Sequence, residues 1–143
     1  MSDPFPSHPQ EAILSEHPNT TLVRRLYESK MDPEVIRGII APDLVWDITP
    51  GFPNGGVYRG WQSVSEDFFA PLQPLFASLG SAPGEYLAAG DDHVVVLGRY
   101  QVRTHTGREV QARFAHVWTV QDGRLIHLRQ TADSHVLHQV LDG

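Results

Sequence analysis

The sequence contains no cysteine. Disulfides, thiolate metal ligands and cysteine nucleophiles are excluded, so any chemistry rests on His, Asp, Glu, Tyr, Arg, Ser or Thr. Basic residues are scarce as well: 11 Lys plus Arg stand against 17 Asp plus Glu, a formal net charge of -6 at pH 7. That balance repels phosphate backbones and anionic lipid surfaces, so neither nucleic acid nor a membrane is an expected partner. No apolar run approaches the ~20 residues of a membrane span. The opening Met1-Ser2-Asp3-Pro4-Phe5-Pro6 lacks the basic and apolar segments of a secretory signal, and the expected location is the cytoplasm. Neither a Gly-x-Ser-x-Gly elbow nor a phosphate-binding glycine loop is present, and Gly55-Gly56 and Gly123 read as turn formers. Internal repeats and low-complexity segments are also missing.

What is present fits one ordinary globular domain. A chain of 143 residues leaves little room for a second core. Residues 1–18 carry Pro4, Pro6, Pro9 and Pro18 and too few apolar side chains to form a core, which reads as a Pro-rich N-terminal arm. The single domain is expected over residues 19–143. Leu22, Val23, Leu26, Tyr27 and Met31 share one helical face behind an Asn19-Thr20-Thr21 capping cluster. Asp32-Pro33-Glu34 supplies a cap, a proline at the first helical position and a first-turn acid, and Pro42 ends the short helix that follows. Leu44 to Thr49 reads as a strand closed by Pro50-Gly51, and Phe52 to Gly60 as a loop or small hairpin. Val64, Phe68, Leu72, Leu75, Phe76 and Leu79 keep helical spacing, with Pro71 and Pro74 kinking or splitting the helix near Ala70.

The second half changes texture. Strands are expected at Gly84 to Ala89, His93 to Thr104, Arg108 to Val120 and Arg124 to Ala132, separated by Gly90-Asp91-Asp92, Thr106-Gly107 and Asp122-Gly123. A short helix follows from Ser134. The order is α+β: helices segregate to one face of a mostly antiparallel sheet of about five or six strands, long enough to curl. Closed by helices, such a sheet makes a cone with an apolar pocket. One layer of helices cannot cover both sheet faces, so a homodimer through the outer face is expected.

The runs Leu22 to Tyr27, Leu44-Val45-Trp46-Asp47, Gly56-Val57-Tyr58-Arg59-Gly60, Phe114 to Arg124 and Arg129 to Asp133 resemble the SnoaL-like polyketide cyclase family. That family belongs to the nuclear transport factor 2 fold, with ketosteroid isomerases and limonene epoxide hydrolases as relatives. The likeness spans about Thr20 to Leu141 and implies a cone-shaped α+β barrel whose curved sheet wraps around N-terminal helices. It implies catalytic roles for Asp133 as proton-transfer acid and His116 as the histidine of the penultimate strand. Asp47 falls where ketosteroid isomerases carry a base, although their helix-one tyrosine falls on Val23. Of the Asp, Arg and Asp set of epoxide hydrolases, Arg99 and Asp133 match and Gln101 does not. Such folds host enzymes, binders and docking modules alike.

Each candidate also has a structural reading. Asp133 stands between a strand and a helix, where it caps the helix by accepting a backbone amide. On an apolar floor its pKa rises toward what acid–base catalysis needs. His116 shares strand parity with Phe114 and Trp118, so it is either a satisfied core histidine or a ligand for a substrate oxygen. Asp47 lies opposite Trp46 and doubles as a turn residue. Tyr27, Tyr100, Phe114 and Trp118 are the expected substrate-binding walls. His135 and His138 at i, i+3 lack a third ligand, so no metal is expected, and no cofactor. The expectation is acid–base isomerase, cyclase or lyase chemistry on an apolar, carbonyl-bearing small molecule such as a polyketide. The alternative is a non-catalytic binder or dimeric assembly module of the same fold.

Overall fold

The computed structural model describes residues 16–142. Most of the expected arm lies outside the described residues. Helix α1 runs Pro18–Glu28 and is capped two residues ahead of the Asn19-Thr20-Thr21 cluster. His17 is the cap, its Nδ1 accepting the Asn19 amide at 3.1 Å, and Pro18 takes the first helical position, where its missing N–H costs nothing. Helix α2, Pro33–Ile39, starts as expected, with Asp32 accepting the Glu34 amide at 2.8 Å. It ends at Ile39 rather than at Pro42, because Ile40 is already extended.

Strand β1 covers Ile40–Ile48 and pairs antiparallel with β2, Gly56–Arg59, and parallel with β6, Arg124–Ala132. Pro42 is tolerated because the β1 to β6 register shifts between Ile40 and Val45, where a ladder donor is not required. Strands β3, Ser78–Ala89, β4, His93–Arg103, β5, Glu109–Gln121, and β6 follow as antiparallel neighbours. The six strands lie in the order β2-β1-β6-β5-β4-β3, one sheet that is not closed into a barrel. Helix α4, Ser134–Asp142, ends the described chain. Asp122 (φ 52°) and Gly123 (φ 73°) form the left-handed two-residue turn that the sequence signalled between β5 and β6.

The helical segment 61–75, here α3, changes pitch along its length. Trp61–Ser63 is α-helical, Val64–Phe69 is π-helical, Ala70–Leu72 is α-helical again and Gln73–Leu75 is a 3₁₀ turn. Pro71 and Pro74 bring no amide hydrogens to the ladder. Asn54 compensates from outside: its side-chain amide donates to the carbonyls of Asp67 and Phe68, both at 2.9 Å. The segment stops at Leu75, so Leu79, which keeps helical spacing, belongs to β3 instead. It pairs there with Val102.

The inner face of the sheet follows strict alternation: Leu44, Trp46 and Ile48 on β1, then Ala112, Phe114, His116, Trp118 and Val120 on β5 are all buried. Val64, Phe68, Leu72 and Phe76 of α3 and its end pack against them in one core. Trp118 is the largest of the fully buried side chains in this core.

Candidate functional site

His116 occupies the middle of the inner face, 5% exposed. Its Nδ1 is hydrogen-bonded to the Tyr27 hydroxyl and its Nε2 to the Tyr100 hydroxyl at 2.6 Å. The contacts continue outward on both sides. Trp118 Nε1 donates to the Tyr27 oxygen at 2.9 Å, and Gln130 Nε2 donates to the Tyr100 oxygen at 2.9 Å. Gln130 Oε1 in turn accepts the Thr49 amide at 3.3 Å, which orients its NH₂ toward Tyr100. Phe114 stacks on the imidazole with ring centroids 3.9 Å apart.

Four elements build this array. Strand β5 contributes His116 and Trp118 from one face, two residues apart, and its pairing with β6 sets Gln130 opposite His116. Strand β4 contributes Tyr100 from the diagonal, and α1 lowers Tyr27 from its buried stripe onto the imidazole. Tyr27 is steadied by an edge contact with Tyr86 at 5.8 Å, whose other partner is the Arg24 guanidinium 4.3 Å above its ring.

Burial sets the charge states. Desolvation pushes the His116 pKa down to about 3, so the imidazole is neutral at physiological pH. Burial raises the pKa of Tyr27, against a smaller opposing effect of the Trp118 hydrogen bond, and that of Tyr100, against the Gln130 bond. Both phenols keep their protons. A neutral imidazole has one N–H and one lone pair, so it donates to one phenol and accepts from the other. The phenol that receives the imidazole proton already accepts from Trp118 or from Gln130. Its own O–H therefore has no acceptor inside the array. Apart from the second hydrogen of the Gln130 amide, the array thus leaves one phenolic proton without an acceptor among its members.

The structure brings Tyr27, Tyr100, Phe114, His116 and Trp118 together as the sequence suggested. It does not bring the two carboxylates with them. Asp133 is exposed; its Oδ1 accepts the Val136 amide at 3.3 Å at the start of α4, and its own amide donates to Arg113 O at 2.9 Å. It shares the outward parity of Arg129 and Thr131 and lies three residues past Gln130, about 10 Å along the strand. The register shift between Thr119 and Val120 shortens the separation by one residue relative to a regular hairpin. Asp47 points the opposite way from Trp46, half-buried, paired in register with Val57 and Arg129. His138 Nε2 is hydrogen-bonded to the Gly51 carbonyl at 2.7 Å, so the His135 and His138 pair is partly committed to packing.

Gln130 was not singled out by sequence reasoning. The available signal was its parity with Leu128 on β6, which places a polar amide on an apolar face and calls for a buried partner.

A model of the SnoaL-like domain matches residues 23–128. The chain belongs to the SnoaL-like family. Among solved structures, this SnoaL-like chain is similar to TerC co-crystallized with polyporic acid, at 27% identity and a TM-score of 0.79, covering 88% of this chain and 99% of that one. It is also similar to a nuclear transport factor 2-like protein from Burkholderia thailandensis, at 29% identity and a TM-score of 0.78, covering 88% and 98%. A putative SnoaL-like polyketide cyclase from Jannaschia, at 21% identity and a TM-score of 0.73 over 88% and 92%, shares the fold. No curated protein matches the sequence. The mixed α+β architecture of this SnoaL-like protein is thus that of the nuclear transport factor 2-like proteins. Among the described residues no helix is long and apolar enough to cross a membrane.

Proposed function

We propose that this SnoaL-like protein binds an apolar, carbonyl-bearing small molecule and holds its oxygen on the Tyr27, His116 and Tyr100 array. The observation that carries this reading is the surplus phenolic proton: a buried donor without an acceptor is costly, and a ligand oxygen would satisfy it. The similar TerC was co-crystallized with polyporic acid, which supports a small-molecule ligand for this chain too. Extended to chemistry, donors preorganised in the site stabilise charge developing on an enolate oxygen while a solvent or buffer base takes the α-proton and returns one to carbon, the step shared by isomerase and cyclase reactions. In this reading the phenol that accepts from the imidazole donates its free O–H to the ligand oxygen, and neutral His116, held by the other phenol, orients it. His116 is not the base, because a conjugate acid with a pKa near 3 is mismatched to neutral pH.

A second reading, non-catalytic binding, is favoured by one observation: Asp133 and Asp47 both lie off the inner face, so neither carboxylate adjoins the array. Deuterium exchange at the α-carbon of 1-tetralone in D₂O separates the two. The expected result is acceleration by the wild type, a loss of about 100-fold in Tyr27→Phe, and no change in Asp133→Asn, since Asn caps a helix as well as Asp. Binding without acceleration would establish the non-catalytic reading, and a loss confined to Asp133→Asn would return the proton transfer to Asp133.

We also propose a homodimer through the outer sheet face. Leu97 (37% exposed) and Leu87 (45%) stand there beside Val95, Ala115 and Val117, an apolar patch across β3, β4 and β5. Light scattering should give twice the 16.0 kDa chain mass, and Leu97→Asp should return it to one chain. A monomeric wild type at micromolar concentration would refute the dimer.

A further inference from the structure

One polar atom stands out among the buried side chains that are described. Trp46 is 5% exposed, and its indole Nε1 has no hydrogen-bond partner. A buried indole N–H ordinarily finds an acceptor, and this one is surrounded by rings instead. Trp46 meets Trp118 and Phe68, with centroids 5.8 and 6.2 Å away. It also meets Trp61 and Phe69, at 5.9 and 5.7 Å. Aromatic faces are weak acceptors compared with a carbonyl oxygen.

Trp61 and Phe69 also line, with Ile36 and Met31, a surface groove of ≈ 560 Å³ between α2 and α3. The groove is within the range of small-ligand sites. Its one charged lining residue, Arg37, is engaged by Glu34 at 2.9 Å, so the groove favours a neutral occupant over an anion. Two lining residues, Ser65 and Phe69, come from the π-helical stretch Val64–Phe69. Such stretches cost helical regularity and recur at functional positions. Trp61 and Phe69 touch both the groove and Trp46, and Trp118 touches both Trp46 and Tyr27.

We propose that Trp46 Nε1 is a ligand-oxygen donor in an aromatic subsite reached between Trp61 and Phe69, and that its occupant is a neutral, flat, apolar ring system bearing a carbonyl. The inference rests on the small-molecule reading above and adds a second donor and an approach to it. The Trp61 and Phe69 rings part around the ligand, the carbonyl oxygen takes the indole proton, and the occupied subsite adjoins Trp118 and the phenol and imidazole array.

The protein has three tryptophans, so a ¹⁵N-labelled sample shows three indole N–H signals. Trp46→Phe assigns one of them. The probes are 1-tetralone and tetralin, which share a ring frame and differ in the carbonyl. Tetralone is expected to move the Trp46 indole proton downfield, whereas tetralin at equal occupancy does not. Trp46→Phe, which keeps an aromatic ring, should weaken tetralone binding roughly 3- to 10-fold, the worth of one net hydrogen bond, and leave tetralin unchanged. An unmoved Trp46 indole at saturating tetralone overturns the subsite, also if the variant fails to fold. The ring nitrogens of His116 read the other site in the same sample. If they respond while Trp46 does not, the proposed function stands and this subsite falls; if Trp46 alone responds, the reverse holds.

Discussion

Lowering the pH from 7 to 5 is expected to cost the folded protein about 2 kcal/mol through His116 alone. The unfolded chain protonates this histidine below its ordinary value of 6.5, whereas burial keeps the folded form neutral until about 3. Between those limits the unfolded state binds one more proton than the folded state. Stability therefore falls as pH falls, by about 1.4 kcal/mol per unit once well below 6.5. The contribution is fully present above pH 6.5. Exposed carboxylates and the other histidines add their own pH dependence, so the comparison is with His116→Gln, which keeps a polar side chain and cannot titrate. Urea midpoints of the two proteins at pH 7 and pH 5 should converge by about 2 kcal/mol. Parallel pH dependences would mean that the imidazole is not held neutral in the core, and with it the proton count that leaves a phenolic O–H free would be wrong.

Gly98→Ala should be destabilising by about 1–3 kcal/mol. Gly98 stands on the inner face of β4, where alternation with Val96 and Tyr100 would otherwise place a side chain. An added Cβ would lie 2.5 Å from Ala82 O, 2.8 Å from Pro83 Cα and 2.8 Å from Phe114 Cζ. Two of these are backbone atoms of the neighbouring strand, next to the register shift between Pro83 and Glu85, so relief requires moving β3. The third is the ring that stacks on His116. A thermal midpoint lowered by roughly 3–9 °C is expected for a chain of this size, together with weaker tetralone binding as Phe114 is displaced from the imidazole. An unchanged midpoint would show that β3 yields without cost at this bulge.

Gly98 also illustrates what the sequence did not disclose. A glycine in a strand reads locally as a weakness, and its purpose appears only when Phe114 of β5 and Pro83 of β3 are set on either side of it. Local rules were sufficient elsewhere. The Asp32 cap with Pro33 behind it, the Asp122-Gly123 turn and the alternation of Phe114, His116 and Trp118 each act over a few residues, and the structure realises all of them. The helical spacing of Leu72, Leu75, Phe76 and Leu79 misled, because a spacing that suits a helix can also be met by a helix end followed by a strand, and Pro71 and Pro74 had already weakened the helix.

The sequence by itself determined the α+β order, most strand limits and the aromatic and histidine side chains of the inner face, since these follow from periodicity and turn chemistry. Only the tertiary structure decided which polar groups meet. The Tyr27 hydroxyl, the His116 ring and the Gln130 amide lie on α1, β5 and β6, and their contacts depend on strand registers and on a bulge that periodicity does not encode. The same bulge turned Asp133 away from that face, whereas Asp47 faces outward by simple alternation with Trp46. A one-residue shift in pairing reverses the facing of a side chain, which is why a carboxylate plausible by position became a helix cap by geometry.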